Sequence, residues 1–223
     1  MPVTLAGTVK AATIGQVGFD TASTVTPAAI VAAKQRGYTF AIRYVRRGVP
    51  HDGDLKADEA SNILASGLAL MAVQYVESED SWTPSADKGA RNAANGVAYA
   101  QSIGLPGGIN LWCDLEGVSG DCPASEVDAY CRAWYAGVSA AGYVPGLYVG
   151  WSPGLNPDQL WRLPFQHYWR SFNLNDDQVP AQRGTQLRQR SARALPGLDP
   201  STYDEDVVTG DAKGGVPLWL SAV

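Results

Sequence analysis

Two patterns of apolar and polar residues alternate along the chain. Short, mostly apolar runs rich in β-branched and aromatic residues are followed by longer stretches in which apolar residues recur every three or four positions. The runs predict strands buried on both faces, and the stretches predict amphipathic helices that cover them. Because the two patterns alternate at least five times with short connections, the sequence predicts parallel βαβ units.

Caps, prolines and glycines set the boundaries of the predicted elements. Helices are expected to begin at Thr26-Pro27, Asp54, Thr83-Pro84 and Cys122-Pro123 and to end at glycines, with a helical turn at Asn156-Pro157. Strands are expected at residues 16–20, 38–45, 68–76, 108–117, 144–149, 166–172, 185–190, 203–208 and 217–220. Residues 1–14 are small and polar, and we expect them to form a loose lead-in.

The helical pattern becomes sparse after residue 165, whereas the strand pattern continues. No repeat or linker marks a domain boundary, and 223 residues fit a single domain with a large core. We therefore predict one α/β domain over residues 1–223, an irregular TIM-like (β/α) barrel with fewer helices in its C-terminal third. A doubly wound open sheet is the alternative.

The charge distribution disfavours several classes of partner. The net charge is −5 and no block of lysine and arginine occurs, so neither nucleic acid nor an anionic membrane surface is expected to bind. Arg43, Arg46 and Arg47 lie near the end of the second strand, and we interpret them as a solvated rim, with an anion site as the alternative. Neither a membrane-spanning run nor a signal-peptide pattern is visible, so action outside the cell or at its wall would need another delivery route, for example a phage. We expect a monomer.

The cysteines do not indicate a metal site. The spacing of Cys113, Cys122 and Cys131 fits no metal motif, only two histidines are present, and no cofactor is expected. A Cys122–Cys131 disulfide stays open. A nucleophilic pair of Cys113 and His167 is a further alternative, but Cys113 points away from Asp114 in a strand and nothing orients the histidine.

The main chemical signal lies at the end of the fourth predicted strand, where an apolar run closes on Asp114 and Glu116 before Gly117. Residues two apart in a strand share a face, so these carboxylates are about 6–7 Å apart at their bases. Like charges held this close raise the pKa of one of them, which keeps a carboxyl group protonated near neutral pH. The alternative is a strand end with two solvated acids.

Other predicted strands also carry acids at or near their ends. Asp20 closes the first strand, Glu77 follows the third, and residues 203–208 contain Asp204 and Asp206. In a parallel barrel the carboxyl ends of all strands meet at one mouth, where barrel enzymes carry their chemistry. Several acids converging there without histidine suit proton transfer to a glycosidic oxygen.

Aromatic residues gather near the same strand ends, and sugar rings stack on such side chains. They are Tyr44, Tyr75, Trp112, Trp151 and Trp169. The alternative is that they belong to the core. We assign substrate binding to Tyr44, Tyr75, Glu77, Trp151, Trp169 and Asp206.

These motifs resemble a known family in their order along the chain. Gly18-Phe19-Asp20 and Asp114-Leu115-Glu116 are similar to the lysozyme-type glycoside hydrolase family 25 and, more closely, to the glycoside-hydrolase-like DUF1906 (Rv2525c-like) group. Residues 203–211 resemble the family segment Val-Asp-x-Asn-x-x-x-Gly, with Asp204 at the acidic position and Asp206 where an asparagine is usual. The resemblance runs roughly from residue 16 to 211 and implies an irregular (β/α) barrel with fewer helices than strands.

The resemblance implies hydrolysis of the β-1,4 bond between N-acetylmuramic acid and N-acetylglucosamine in peptidoglycan. By position, Glu116 is the general acid, and Asp114 stabilises charge at the reacting centre or positions the acetamido group or a water. Asp20 and Asp204 tune the charge of the site and position the reacting groups. The sequence departs from the family at the third strand and at Arg188 in the seventh. A barrel that binds cell-wall glycan or a partner without turnover is one alternative, and a glycosidase for another polysaccharide is a second.

Overall fold

The computed structural model describes residues 4–78, 81–174, 184–190, 195–198, 203–212 and 214–222. Within them the strands are β1 (Thr8–Ala11), β2 (Val17–Thr21), β3 (Phe40–Val45), β4 (Ala69–Gln74), β5 (Asn110–Leu115), β6 (Val144–Val149), β7 (His167–Arg170), β8 (Leu187–Arg190), β9 (Tyr203–Val208) and β10 (Leu218–Ser221). The helices are α1 (Pro27–Gln35), α2 (Ala57–Ala65), α3 (Ala86–Ser102), α4 (Ala124–Ala140) and α5 (Pro157–Arg162). Among the described residues, every element after α5 is a strand.

Eight of these strands close into a barrel. Their order is β4-β3-β2-β9-β8-β7-β6-β5, and a further pairing of β5 with β4 closes the ring. The predicted irregular α/β barrel is thereby confirmed. The expectation of a fully parallel barrel is wrong for β9, which runs antiparallel to both β2 and β8. The N-terminal end of β9 therefore lies at the mouth, with Asp204 opposite Asp20.

The barrel wall separates two apolar layers, because successive side chains of a strand point to opposite faces. The inner layer fills the barrel and includes Phe40, Met71, Trp112, Trp169 and Trp219. The outer layer lies between the strands and the helices. A Cβ at Gly146 would lie 2.6 Å from Cζ3 of Trp112, so glycine there leaves room for the indole. The same inner face continues towards the mouth and carries the acids.

The N-terminal segment is more regular than the expected loose lead-in. β1 pairs antiparallel with β10, and β10 in turn contacts β4. All four residues of β1 are exposed, so its sequence carries no alternation of buried and exposed positions. Periodicity cannot reveal a strand of this kind.

Two of the expected helix caps are confirmed and two are wrong, while α4 begins after Pro123 without a side-chain cap. Thr26 caps α1, and Asn156 forms a capping box at the start of α5. α3 is capped by Ser85 rather than by Thr83. Asp54 does not cap α2, because its carboxylate accepts hydrogen bonds from the loop that precedes it.

The cysteines do not carry the roles left open above. All three are free, so the Cys122–Cys131 disulfide is not formed. Cys113 packs in the outer layer, whereas His167 hydrogen-bonds to Asn110 on the inner face, so this nucleophilic pair is wrong. In the described ranges, no helix is long and apolar enough to cross a membrane.

The three arginines at the second predicted strand are engaged with the protein. Arg43 is fully buried and forms an ion pair with Glu59 at 2.6 Å, so a solvated rim is the wrong description for it. Arg46 pairs with Asp54 at 2.8 Å. Arg47 donates to a backbone carbonyl in the β4–α3 connection.

Candidate active site

Four carboxylates converge at the mouth of the barrel. Asp114 lies on β5 and Glu116 directly follows that strand, while Asp20 and Asp204 are paired across β2 and β9. The charges of all four act on the phenol of Tyr148, which lies on β6 beside Asp114. The fold therefore brings together the four residues that the sequence predicts as catalytic.

Asp20 is the buried acid on β2. Its side chain is only 4% exposed, and Gln189 Nε2 donates to its Oδ2 at 2.9 Å. Burial, followed by the charge of Asp204, raises the pKa of Asp20 to about 7, against the opposing hydrogen bonds from Gln189 and Asp206. A carboxyl group with this pKa exchanges its proton near neutral pH, which suits acid–base chemistry.

Asp206 lies deeper in the barrel, two residues after Asp204 on the same strand. Its side chain is fully buried, and Trp169 Nε1 donates to its Oδ1 at 2.8 Å. Burial, followed by the charge of Asp20, raises the pKa of Asp206 well above its usual range. Trp169 is also fully buried and cannot offer a ring face to a sugar. The substrate contacts expected of Trp169 and Asp206 do not fit these positions, since both side chains are fully buried.

The backbone around Glu116 places this residue beside the end of β6. Trp82 Nε1 donates to the Glu116 carbonyl at 2.6 Å, and the next amide, that of Gly117, donates to the Trp151 carbonyl at 2.8 Å. Gly117 has a φ of 62°, a conformation that favours glycine. A Cβ at Gly150 would lie 2.6 Å from the Cβ of Glu116, so the bare backbone there makes room for the acid. Glu116 stays partly exposed.

Two tyrosines lie among the acids. Burial, followed by the charge of Asp20, raises the pKa of Tyr44 well above its usual range. Burial, followed by the charge of Glu116, does the same for Tyr148, whose hydroxyl donates to Gln189 Oε1 at 3.2 Å. Both phenols therefore stay protonated. The Tyr148 proton is donated to Gln189, which leaves Tyr44 as the phenol that can donate to a substrate oxygen. Tyr148 was not predicted as a site residue, although strand alternation places it on the same face as Gly150.

An aromatic series leads from the acids to the rim. The rings of Tyr44 and Tyr75 are 4.7 Å apart, as are those of Tyr75 and His51. Tyr75 and His51 line an open cavity of about 350 Å³. At the end of β6, Trp151 is 56% exposed. Tyr75 and Trp151 are thus accessible to a ligand at the mouth.

Glu77 lines the same cavity but faces α3. Its carboxylate lies 3.9 Å from both Lys88 and Arg91, and Asn92 donates to it at 3.4 Å. These contacts link Glu77 to the helix rather than to the acids at the mouth. Its expected contact with substrate stays a prediction.

The chemistry available at the mouth follows from its composition. Among the described residues, no group of three or more His, Cys, Asp or Glu side chains is arranged to hold a metal ion. Buried acids, a partly exposed acid and neutral phenols face one opening, next to accessible aromatic rings. Such a site can donate a proton to a bound oxygen and stabilise positive charge beside it.

Solved structures with a similar fold include a glycosyl hydrolase and an autolysin in complex with a peptidoglycan ligand. The Mycobacterium tuberculosis Tat-secreted protein Rv2525c, in complex with HEPES, is 19% identical over 88% of this chain and 96% of that one, with a TM-score of 0.64. A family 25 glycosyl hydrolase from Bacillus anthracis is 14% identical over 90% and 91%, with a TM-score of 0.62. The modular autolysin LytC from Streptococcus pneumoniae, in complex with a synthetic peptidoglycan ligand, is 13% identical over 86% and 47%, with a TM-score of 0.60. At these identities the likeness shows a shared fold.

The family is shown by the sequence itself. A comparison with curated proteins gave no match. The model of the Rv2525c-like, glycoside hydrolase-like domain, however, matches residues 31–207, a range that contains Asp114, Glu116, Asp204 and Asp206. The resemblance drawn from the motifs is thereby confirmed. The chain belongs to the Rv2525c-like family of glycoside hydrolase-like domains.

Proposed function

We propose that this domain is a glycoside hydrolase that cleaves the β-1,4 bond between N-acetylmuramic acid and N-acetylglucosamine in peptidoglycan, with Glu116 as the general acid. The observation that carries the proposal is the position of Glu116, which is partly exposed at the mouth beside three further carboxylates. Only an acid that a ligand can reach can protonate the oxygen of a bound glycosidic linkage.

The remaining acids have distinct roles in this mechanism. Glu116 protonates the leaving oxygen while positive charge develops on the sugar ring. Asp114 lies on the inner face of β5, two residues before Glu116. It stabilises that charge or positions the acetamido group or a water. Asp20 and Asp204 occupy the facing strands β2 and β9 and tune the charge of the mouth.

The phenols and the exposed indole complete the substrate site. Tyr44 remains a neutral donor next to the acids and binds a sugar hydroxyl or carbonyl oxygen, whereas Tyr148 donates to Gln189 and holds it beside Asp20. Tyr75 and Trp151 offer accessible rings on which the apolar faces of sugars stack. An extended glycan running between them would pass over Glu116.

Peptidoglycan is proposed because the similar structures include a family 25 glycosyl hydrolase and an autolysin with a peptidoglycan ligand. The working site of this domain would then be the cell wall. One of the similar proteins is Tat-secreted, which agrees with action outside the cytoplasm. We propose that a single copy of the chain is sufficient, since all the residues assigned above belong to one chain.

The decisive experiment is reducing-end release from purified sacculi by the Glu116→Gln variant, with mass spectrometry of the products. Loss of the proton donor should lower the rate by roughly 10²–10⁴-fold. Glu126→Gln removes an exposed carboxylate on α4 and should keep the rate of the wild type. Equal thermal unfolding of the two variants would show that the fold is unchanged.

The same assay separates catalysis from binding. Wild-type protein that sediments with sacculi but releases no reducing ends would overturn the enzyme assignment and leave a glycan-binding barrel. Full activity of Glu116→Gln would exclude Glu116 as the general acid. Release from another polysaccharide, but not from sacculi, would contradict the proposed substrate.

A further inference from the structure

Asp20 and Asp206 are buried neighbours on the inner face of the barrel. Asp206 is opposite Gly18 and Asp20 is opposite Asp204 in the antiparallel pair of β2 and β9, so the two acids lie at successive inward positions. The two carboxyl groups are close enough for the charge of Asp20 to raise the pKa of Asp206. Two ionised carboxylates have only acceptors, so a hydrogen bond between them requires a proton.

The partners of Asp206 show where this proton belongs. Its Oδ1 accepts the indole N–H of Trp169 at 2.8 Å. Its Oδ2 is buried and receives no N–H or hydroxyl group from the described part of the chain. A fully buried carboxylate oxygen without a donor is costly, whereas a protonated oxygen can donate to the neighbouring carboxylate.

The surroundings provide no cation to stabilise two negative charges. The charges of Asp204 and Glu116 act on Asp20, and the charge of Asp20 acts on the phenols of Tyr44 and Tyr148. Asp114 on β5 acts on the same two phenols. The neutral donors Trp169 and Gln189 face it from β7 and β8. Within the described residues, neither Asp20 nor Asp206 has an ion-pair partner.

We propose that Asp20 and Asp206 share a proton at neutral pH, and that Asp206 is the neutral member that positions the Asp20 carboxylate. Burial and the charge of Asp20 raise the pKa of Asp206, in agreement with this assignment. Asp206 then acts as a positioning residue: it accepts from Trp169, donates to Asp20 and does not touch substrate. The inference rests on the proposed function only in giving Asp20 a part in catalysis.

Infrared difference spectroscopy in D₂O tests the shared proton without any activity. At about pH 8, acids with ordinary pKa values are ionised, so the C=O band of a protonated carboxyl group should come from the pair. The band should be present in the wild type, in Asp58→Asn, which removes an exposed acid on α2, and in Glu116→Gln. It should be absent in Asp206→Asn. Absence of the band from the wild type, or its persistence in Asp206→Asn, would overturn the proposal.

Unfolding at several pH values tests the positioning role. Asparagine can accept from Trp169 and donate to Asp20, whereas alanine can do neither. Asp206→Asn should therefore unfold at a higher temperature than Asp206→Ala, and its midpoint should fall less between about pH 4 and pH 8 than that of the wild type. Equal midpoints for the two variants would contradict a hydrogen-bonding role. If Glu116→Gln retains full activity while the band behaves as expected, the proposed function fails and the shared proton stands.

Discussion

Near the mouth, the two faces of the barrel wall differ in how their buried charges are paired. On the outer face, Arg43 Nε lies 2.6 Å from Glu59 Oε1, and both side chains are almost fully buried. Arg43 also donates to the backbone carbonyls of Thr21 and Gly53, and Glu59 accepts the N–H of Val25. This network holds the connections that leave β2 and β3. Every charge in it has an opposite charge and further hydrogen bonds.

On the inner face, like charges meet. Asp20 precedes Thr21 in the chain but points into the barrel, where its neighbours are Asp204, Asp206 and Glu116. A structural core gains nothing from such an arrangement, because burial and repulsion both raise the free energy of the ionised acids. The outer network pairs its charges, whereas the inner cluster lowers the stability of the fold, as groups at functional sites often do.

Arg43→Ala should have the largest effect on stability. It leaves Glu59 buried without its cation, which is expected to lower the free energy of unfolding by about 3–5 kcal/mol. Arg132→Ala is the matched control, since it breaks an exposed ion pair with Asp128 on α4 and should cost about 0.3–0.5 kcal/mol. Urea unfolding at neutral pH measures both. A loss below about 1 kcal/mol for Arg43→Ala would show that the outer network is not what holds the wall.

Asp20→Asn should act in the opposite direction. The folded protein binds the Asp20 proton more tightly than the unfolded chain does, so stability falls as the pH rises from 3.8 to about 7. Asparagine removes this cost, and we expect the variant to gain roughly 2–4 kcal/mol at about pH 8, while the gain vanishes below about pH 4. The proposed release of reducing ends from sacculi should fall at the same time. Urea unfolding across this pH range measures the difference, and a constant or negative difference would contradict the raised pKa.

The sequence predicts the barrel and the acids at its mouth because both depend on local patterns. Apolar runs and helix-terminating glycines repeat along the first 165 residues, and the i, i+2 spacing of Asp114 and Glu116 fixes their common face. Asp20 comes to the same end of the barrel because the carboxyl ends of parallel strands meet there. None of these steps needs a contact between distant residues.

What could not be predicted depends on such contacts. The direction of β9 is set by its pairing with β2 and β8, so the inward position of Asp206 does not follow from its own segment. Arg43 is buried because Glu59, 16 residues later, reaches it from α2. Trp169 is assigned to substrate binding from the sequence, because a tryptophan near a strand end suits a sugar platform as well as the core. Only the packing inside the barrel decides that its N–H meets Asp206.

Trp169→Phe tests the difference between the inner and the outer face of the barrel wall at a single hydrogen bond. Trp169 on the inner face donates to Asp206 at 2.8 Å, and Trp134 in the outer layer donates to Gln74 Oε1 at 2.7 Å. Both indoles are fully buried, so replacing either by phenylalanine should cost about 1–3 kcal/mol. Only Trp169→Phe removes a donor that lowers the pKa of Asp206. The carboxyl group should then hold its proton to higher pH, and the infrared band of the protonated acid should persist further into the alkaline range. In Trp134→Phe the band should titrate as in the wild type. An identical titration in the two variants would mean that the indole on the inner face serves packing only, as its outer counterpart does.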